Sequence, residues 1–380
     1  MYRAFNQLKL YCEDEEFKGW DPYDGLNSKL FQNLKLDKVE LFRLIWIQLF
    51  KRNPLNLRKL LLVPKEYNPK GLGLFLTGYC NLYEREMRDE QLATIFFLAD
   101  KLIELRSKGY SGSCWGYNFD WQSRAFFLPK ETPTVVATVF ISSALLDAYE
   151  ITKEKRYLDV AISSTKFITE DLNRTQKEDG FIFSYSPYDD TRVYNASLLG
   201  SKLLARVYSY TKDENLLRLA KLSITACANR QRDDGAWIYG ELKIQDWVDS
   251  FHTGYNLESI YEYQRYSGDN SFDDIIQKGL KYYLENFFLE DGTPKYFDNE
   301  IYPIDIHAPA QFIVTLCKLR ELNQNRELSD SVIQWTISNM RDEKGYFYYQ
   351  LKKINSSKIP YMRWAQAWMF YSLSFYLKEI

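Results

Sequence analysis

YNASLLGSKLLARVYSYTKDENLLRLAKLSITACANRQRDDGAW, residues 194–237, contains the unit from which the fold is read. Leu199, Leu203 and Val207 recur every four residues and form one stripe of a helix. The polar break TKDEN (211–215) ends that segment. A second, more amphipathic segment fills 216–230, and an Asp-Gly turn at Gly235 closes the unit. The first segment is apolar nearly all round, which predicts burial on most sides; the second predicts an outer layer.

The unit repeats. Gly180, Gly235, Gly292 and Gly345 each sit in a Gly-aromatic turn, spaced by 55, 57 and 53 residues, with SCWGYN at Gly116 as an irregular earlier copy. Helix pairs are predicted at 134–150 and 156–172, 252–266 and 272–288, and 306–322 and 328–340, with one more pair upstream at 71–86 and 91–106. The last segment, 362–377, is a first helix without a partner. Repeated hairpins of this kind make an open solenoid or a closed ring. Trp364, Trp368, Phe370, Tyr371 and Phe375 in the last segment require a neighbour, so closure is expected, with residues 38–50 supplying that neighbour. The prediction is an all-α (α/α)6-type toroid of about six hairpins. It forms a single domain over 1–380, in which 1–66 is an N-terminal helical segment completing or capping the ring.

The totals narrow the function. A net charge of -2 argues against nucleic acid as a partner. Cys12, Cys80, Cys114, Cys227 and Cys317 are scattered without a CxxC pair, which suits free thiols in a reducing compartment. No signal pattern opens the chain, and no run of about 18 apolar residues predicts a membrane span, so the cytoplasm is expected. Aromatic residues make up 17% of the chain, many of them in loops beside Gly and Asp, where they can form platforms for sugar rings.

Inner and outer helices joined by QRDDGAW-type turns resemble the six-hairpin glycosidase and sugar-epimerase toroids, and also the terpene cyclase and prenyltransferase toroids. WDPYDGLNS (20–28), NPKGLGLFL (68–76), CWGYNFDWQSR (114–124) and DSFHTGYNLES (249–259) are similar to a poorly characterised family encoded beside bacterial capsule and exopolysaccharide genes. That resemblance implies a carbohydrate-active protein of surface-polysaccharide biosynthesis, with a saccharide or glycan intermediate as its partner. The other toroid chemistries lack their residues. No DxDD or DDxxD motif is complete, no Cys-His pairing suits zinc, and no GxxxxGK[ST] or GxGxxG occurs. No metal or cofactor is therefore expected.

In a ring of parallel inner helices, the residues at the helix starts converge on one mouth. The only two histidines, His252 and His307, occupy the same station of successive repeats. Predicted catalytic candidates are His252, Asp249, Tyr255, His307, Asp305 and Asp246. Predicted substrate-binding candidates are Asp120, Arg124, Asp190, Tyr194, Asn195, Trp237, Gln311, Arg363 and Trp364. Imidazoles titrate near neutrality, and carboxylates and arginine complete an inventory suited to acid–base work on a saccharide, uronates included. Hydrolysis, elimination and epimerisation all remain open. Asp249 and Asp305 also suit helix capping. A non-catalytic saccharide- or protein-binding toroid scaffold is the alternative, and an isoprenoid cyclase-like enzyme a third.

Overall fold

Six inner helices run through the computed structural model, which describes residues 1–122 and 127–380. The helices in chain order are α1 (Tyr2–Asp14), α2 (Lys29–Asn33), α3 (Glu40–Arg52), α4 (Pro69–Glu86), α5 (Asp89–Glu104), α6 (Val135–Thr152) and α7 (Lys155–Lys166). They continue as α8 (Tyr194–Thr211), α9 (Glu214–Ala228), α10 (Ser250–Ser267), α11 (Asp273–Phe287), α12 (His307–Lys318), α13 (Arg326–Met340) and α14 (Trp368–Glu379). Helices α4, α6, α8, α10, α12 and α14 form the inner barrel, and each packs on the next around the ring. Leu199, Leu203 and Val207 are all buried, as their spacing requires. The fold is an (α/α)6 toroid.

The Gly-aromatic turns explain how successive hairpins lock. Gly180, Gly235, Gly292 and Gly345 all have φ between 86° and 149°, a range that disfavours any side chain. Each is pressed against the backbone of the next outer helix, so that a Cβ would lie 2.6 Å or less from Leu222, Lys278, Ser331 or Gln7 respectively. The last of these contacts is decisive for closure. Gln7 belongs to α1, so α1 takes the place of the sixth outer helix. Phe5 of α1 meets Phe370 of α14 with ring centroids 5.1 Å apart. Gly235→Ala combines a strained φ with a backbone clash and is expected to cost about 1–3 kcal/mol, read as a lower denaturant midpoint at unchanged slope.

This corrects the expected role of 38–50. Helix α3 does not cover α14. It lies over the mouth of the ring, where Ile47, Gln48 and Lys51 face a cavity, while Leu41, Phe42, Ile45 and Leu49 stay exposed. Its inner side builds a small separate core with Leu26 and Phe31. The segment before it is anchored by buried ion pairs, Arg58 to Asp24 at 2.7 Å and Arg363 to Asp21 at 2.5 Å.

One helix departs from the expectation about hydropathy. Helix α6 is long and apolar enough to cross a membrane, with a mean hydropathy of 1.5, and 67% of it is buried inside the protein. An inner helix is enclosed by neighbours on every side, so it is apolar all round. All five cysteines are buried and free.

Candidate active site

Parallel inner helices bring their first turns to one face. Asn68, Thr134 and Asp249 cap α4, α6 and α10 by accepting a backbone N–H, and Asp305 accepts the His307 N–H at the start of α12. The chain enters α14 through a wider π turn, Met362–Ala367, a form often found at functional sites. All six starts contribute to a cavity of about 430 Å3, through Lys70, Val136, Asn195, His252 with Tyr255, His307, and Arg363 with Trp364. Tyr239, Trp247, Trp121, Tyr117 and Tyr185 form its walls, and Tyr23 and Lys51 face it from the N-terminal segment. Its size suits a small ligand.

Among the described residues the His252 ring is hydrogen-bonded on one side only, at Nδ1. The Asp249 carboxylate caps α10 through Oδ1, 3.0 Å from the His252 N–H. Its Oδ2 lies 2.6 Å from His252 Nδ1 and accepts the Trp247 indole N–H at 3.0 Å. A carboxylate only accepts, so Nδ1 carries the proton and Nε2 is left as a base. Tyr239 stacks on Trp247 and packs against the imidazole. An asparagine in place of Asp249 would still cap the helix but would present an N–H to Nδ1 and reverse the tautomer. Asp249→Asn is therefore expected to lower any His252-dependent turnover about 100-fold with little loss of helix content, checked by rate measurement and circular dichroism.

His307 is a different histidine. It is buried between Phe251, stacked at 4.3 Å, and Trp368, at 4.0 Å. Its Nε2 shares a 2.8 Å hydrogen bond with the Tyr255 hydroxyl. Burial, then the charges of Lys70, His252 and Arg363, pushes its pKa well below the usual histidine value, so it is neutral at physiological pH. Burial likewise raises the Tyr255 hydroxyl.

Asp305 does not line the cavity. It sits behind His307 and Trp364, accepting the Trp364 indole N–H at 2.8 Å and the Gln350 amide at 3.1 Å. Burial pushes its carboxyl up to about 6. Arg363 faces the cavity but is bound in bidentate fashion by Asp21, which keeps it charged despite its burial.

Other predicted residues lie elsewhere. Asp190 and Asp246 are exposed and outside the cavity lining, because they precede their helices by enough residues to turn toward solvent. Asp120 accepts the Lys130 N–H on the rim. Tyr194 is buried beside Asn195 and faces away from the cavity. Gln311, one turn beyond His307, is carried into the barrel and donates to Glu258 at 3.2 Å. Trp237 packs against Gly279 of α11 and donates to the Cys227 carbonyl, as the inside of an outer turn requires. Arg124 lies outside the described residues.

With this arrangement in view, comparison with known proteins identifies the fold. The chain has the (α/α)6 architecture of sugar epimerases and glycosidases. Cellobiose 2-epimerase from Bacillus thermoamylovorans superposes with a TM-score of 0.67 at 13% identity, covering 100% of both chains. An unsaturated glucuronyl hydrolase specific for heparin gives 0.62 at 13% identity, over 84% of this chain and 89% of that one. A D-mannose isomerase gives 0.60 at 14% identity, over 82% and 88%. No family model matches the sequence, and no curated protein does.

Sequence reasoning missed Lys70, Lys51 and most of the aromatic wall. Lys70 was within reach, since it stands at the start of α4 as His307 does at the start of α12. Among the described residues no group of three His, Cys, Asp or Glu side chains is placed to hold a metal. A second cavity, of about 550 Å3, opens at the C-terminal ends of the inner helices. Its central charges already satisfy one another through Arg206 with Asp147 and through Lys202 and Lys318 with Glu262.

Proposed function

We propose that this protein is a carbohydrate-active enzyme that moves a carbon-bound proton of a saccharide, as an epimerase, isomerase or lyase does. The observation that carries the reading is the lining of the cavity: two histidines, a tyrosine bound to one of them, and no carboxylate among the described residues. Glycoside hydrolysis by the two-carboxylate route needs two acidic groups facing the substrate. Here Asp21, Asp249 and Asp305 all stand behind other side chains and are engaged there.

His252 is the proposed base, its Nε2 bonded to no described residue and its Nδ1–H held by Asp249. Tyr255, hydrogen-bonded to His307, is the proposed proton donor or relay, with ring centroids of His252 and Tyr255 5.8 Å apart. Trp121, Trp247 and Trp364 are among the aromatic side chains of the lining, which supply apolar surface for a sugar ring to pack against. The resemblance to epimerases and an isomerase in fold supports this chemistry by analogy. The capsule-type sequence motifs support a saccharide destined for a surface polysaccharide, and five buried free thiols accord with the cytoplasm.

The test is incubation with candidate mono- and disaccharides in deuterium oxide, followed by proton NMR and mass spectrometry. Deuterium entering one carbon position, with or without inversion or elimination, is the expected result. Glycosidic cleavage with no carbon-bound exchange would overturn the reading.

A further inference from the structure

Four cations in the described residues are less than a tenth exposed: Arg58, Lys70, Lys202 and Arg363. Three hold a carboxylate closely, Arg58 with Asp24 at 2.7 Å, Lys202 with Glu258 at 2.6 Å and Arg363 with Asp21 at 2.5 Å. Lys70 holds none. Its ammonium has no hydrogen bond or ion pair with any described residue, and its neighbours are the rings of Phe140 at 4.4 Å, Trp368 at 5.3 Å and Tyr255 at 5.7 Å.

Its position compounds the cost. Lys70 is the second residue of α4, at the end of the helix where the backbone dipole is positive and a cation is disfavoured. Arg363, which flanks the same cavity, adds repulsion, and the Asp21 carboxylate bound to Arg363 offsets only part of it from a distance. Cation–π contact with three rings recovers only part of what burial removes. A buried charged group without a partner requires an explanation, and Lys70 lines the cavity. The lining carries three cations, Lys51, Lys70 and Arg363, and no carboxylate among the described residues. Low-dielectric walls concentrate that positive potential on whatever enters.

We propose that Lys70 is a substrate-binding residue that receives an oxyanion of the sugar, the carboxylate of a uronate or the phosphate of a sugar phosphate. The proposal rests on the saccharide reading above and names the substrate class. The ligand's charge supplies the partner that the protein withholds, and its neighbours Tyr255 and His307 place that anion beside the acid–base groups. Burial, and then the charge of Arg363, holds the amine well below the ordinary lysine value of 10.5 in the empty cavity. An unfolded lysine stays protonated through that interval, so the side chain costs stability at neutral pH, and the cost fades as pH rises toward 10.5.

The experiment compares wild type with Lys70→Met and Lys70→Arg in titration calorimetry against D-glucuronate, D-glucose 6-phosphate and D-glucose, with melting curves at pH 7. Wild type is expected to bind one of the two acids at least tenfold more tightly than glucose, and which acid it prefers tells carboxylate from phosphate. Lys70→Met is expected to lose that preference and to melt at a higher temperature than wild type. Lys70→Arg is expected to retain part of the preference. Neither acid binding more tightly than glucose, or Lys70→Met keeping the preference, melting lower or failing to fold, would overturn the proposal. Deuterium exchange into glucose by both wild type and Lys70→Met would also overturn it, while leaving the proton-transfer reading intact.

Discussion

Replacing His252 with glutamine is expected to lower carbon-bound deuterium exchange by about 10³-fold, within the range that a positioned general base supplies. The melting temperature should stay within a few degrees of wild type. Glutamine is chosen because its amide can still donate to the Asp249 carboxylate, so the buried acid behind it keeps a partner. The side chain of His252 is 18% exposed and faces the cavity, so its loss removes little packing. Combining His252→Gln with Asp249→Asn should cost scarcely more than His252→Gln alone, because the aspartate acts through the imidazole. A His252→Gln protein with full exchange would remove the base from the proposal. One that unfolds would make this histidine a packing residue.

The second large effect lies deeper in the barrel. Glu258 is buried and accepts from Lys202 at 2.6 Å and Lys318 at 2.7 Å. Burial alone would raise its carboxyl; the two ammoniums more than offset this and hold it below the ordinary carboxylate value. Glu258→Ala leaves the buried Lys202 and the partly exposed Lys318 with only Glu262, at 3.4 and 3.5 Å, and is expected to cost about 3–5 kcal/mol in urea unfolding. Replacing Lys202, Glu258, Glu262 and Lys318 together with Met, Leu, Leu and Met should cost far less, because none of the four charges is then left unpaired. The contribution of Glu258 is present above the ordinary carboxylate range and disappears as pH falls through its lowered value. A Glu258→Ala protein as stable as wild type would mean that water reaches this cluster.

The ring was legible in the sequence because each hairpin repeats the same local signals: an apolar segment, a polar break and a glycine turn. Which helix closed it was not legible. The choice between α1 and α3 depends on Gly345 meeting Gln7, a contact between distant parts of the chain with no periodic trace. The site was legible where a helix start fixes direction, as at His252, Tyr255, His307, Asn195 and Arg363, which all face the cavity. It failed where a residue lay several positions before a helix, as at Asp190 and Asp246, or a turn beyond its start, as at Gln311. Lys70 was passed over because a lysine reads as a solvated charge until its surroundings are known.

The place of α1 beside α14 bears on how the protein is made. Five hairpins consist of neighbours in sequence and are able to assemble as they leave the ribosome. The sixth joins α1 to α14, the most non-local helix pair in the fold, and closing a loop of that length costs more entropy than closing any of the other five. Since the cavity takes residues from five inner helices and from the π turn Met362–Ala367 that leads into α14, the binding site is complete only once the chain has been made as far as that turn.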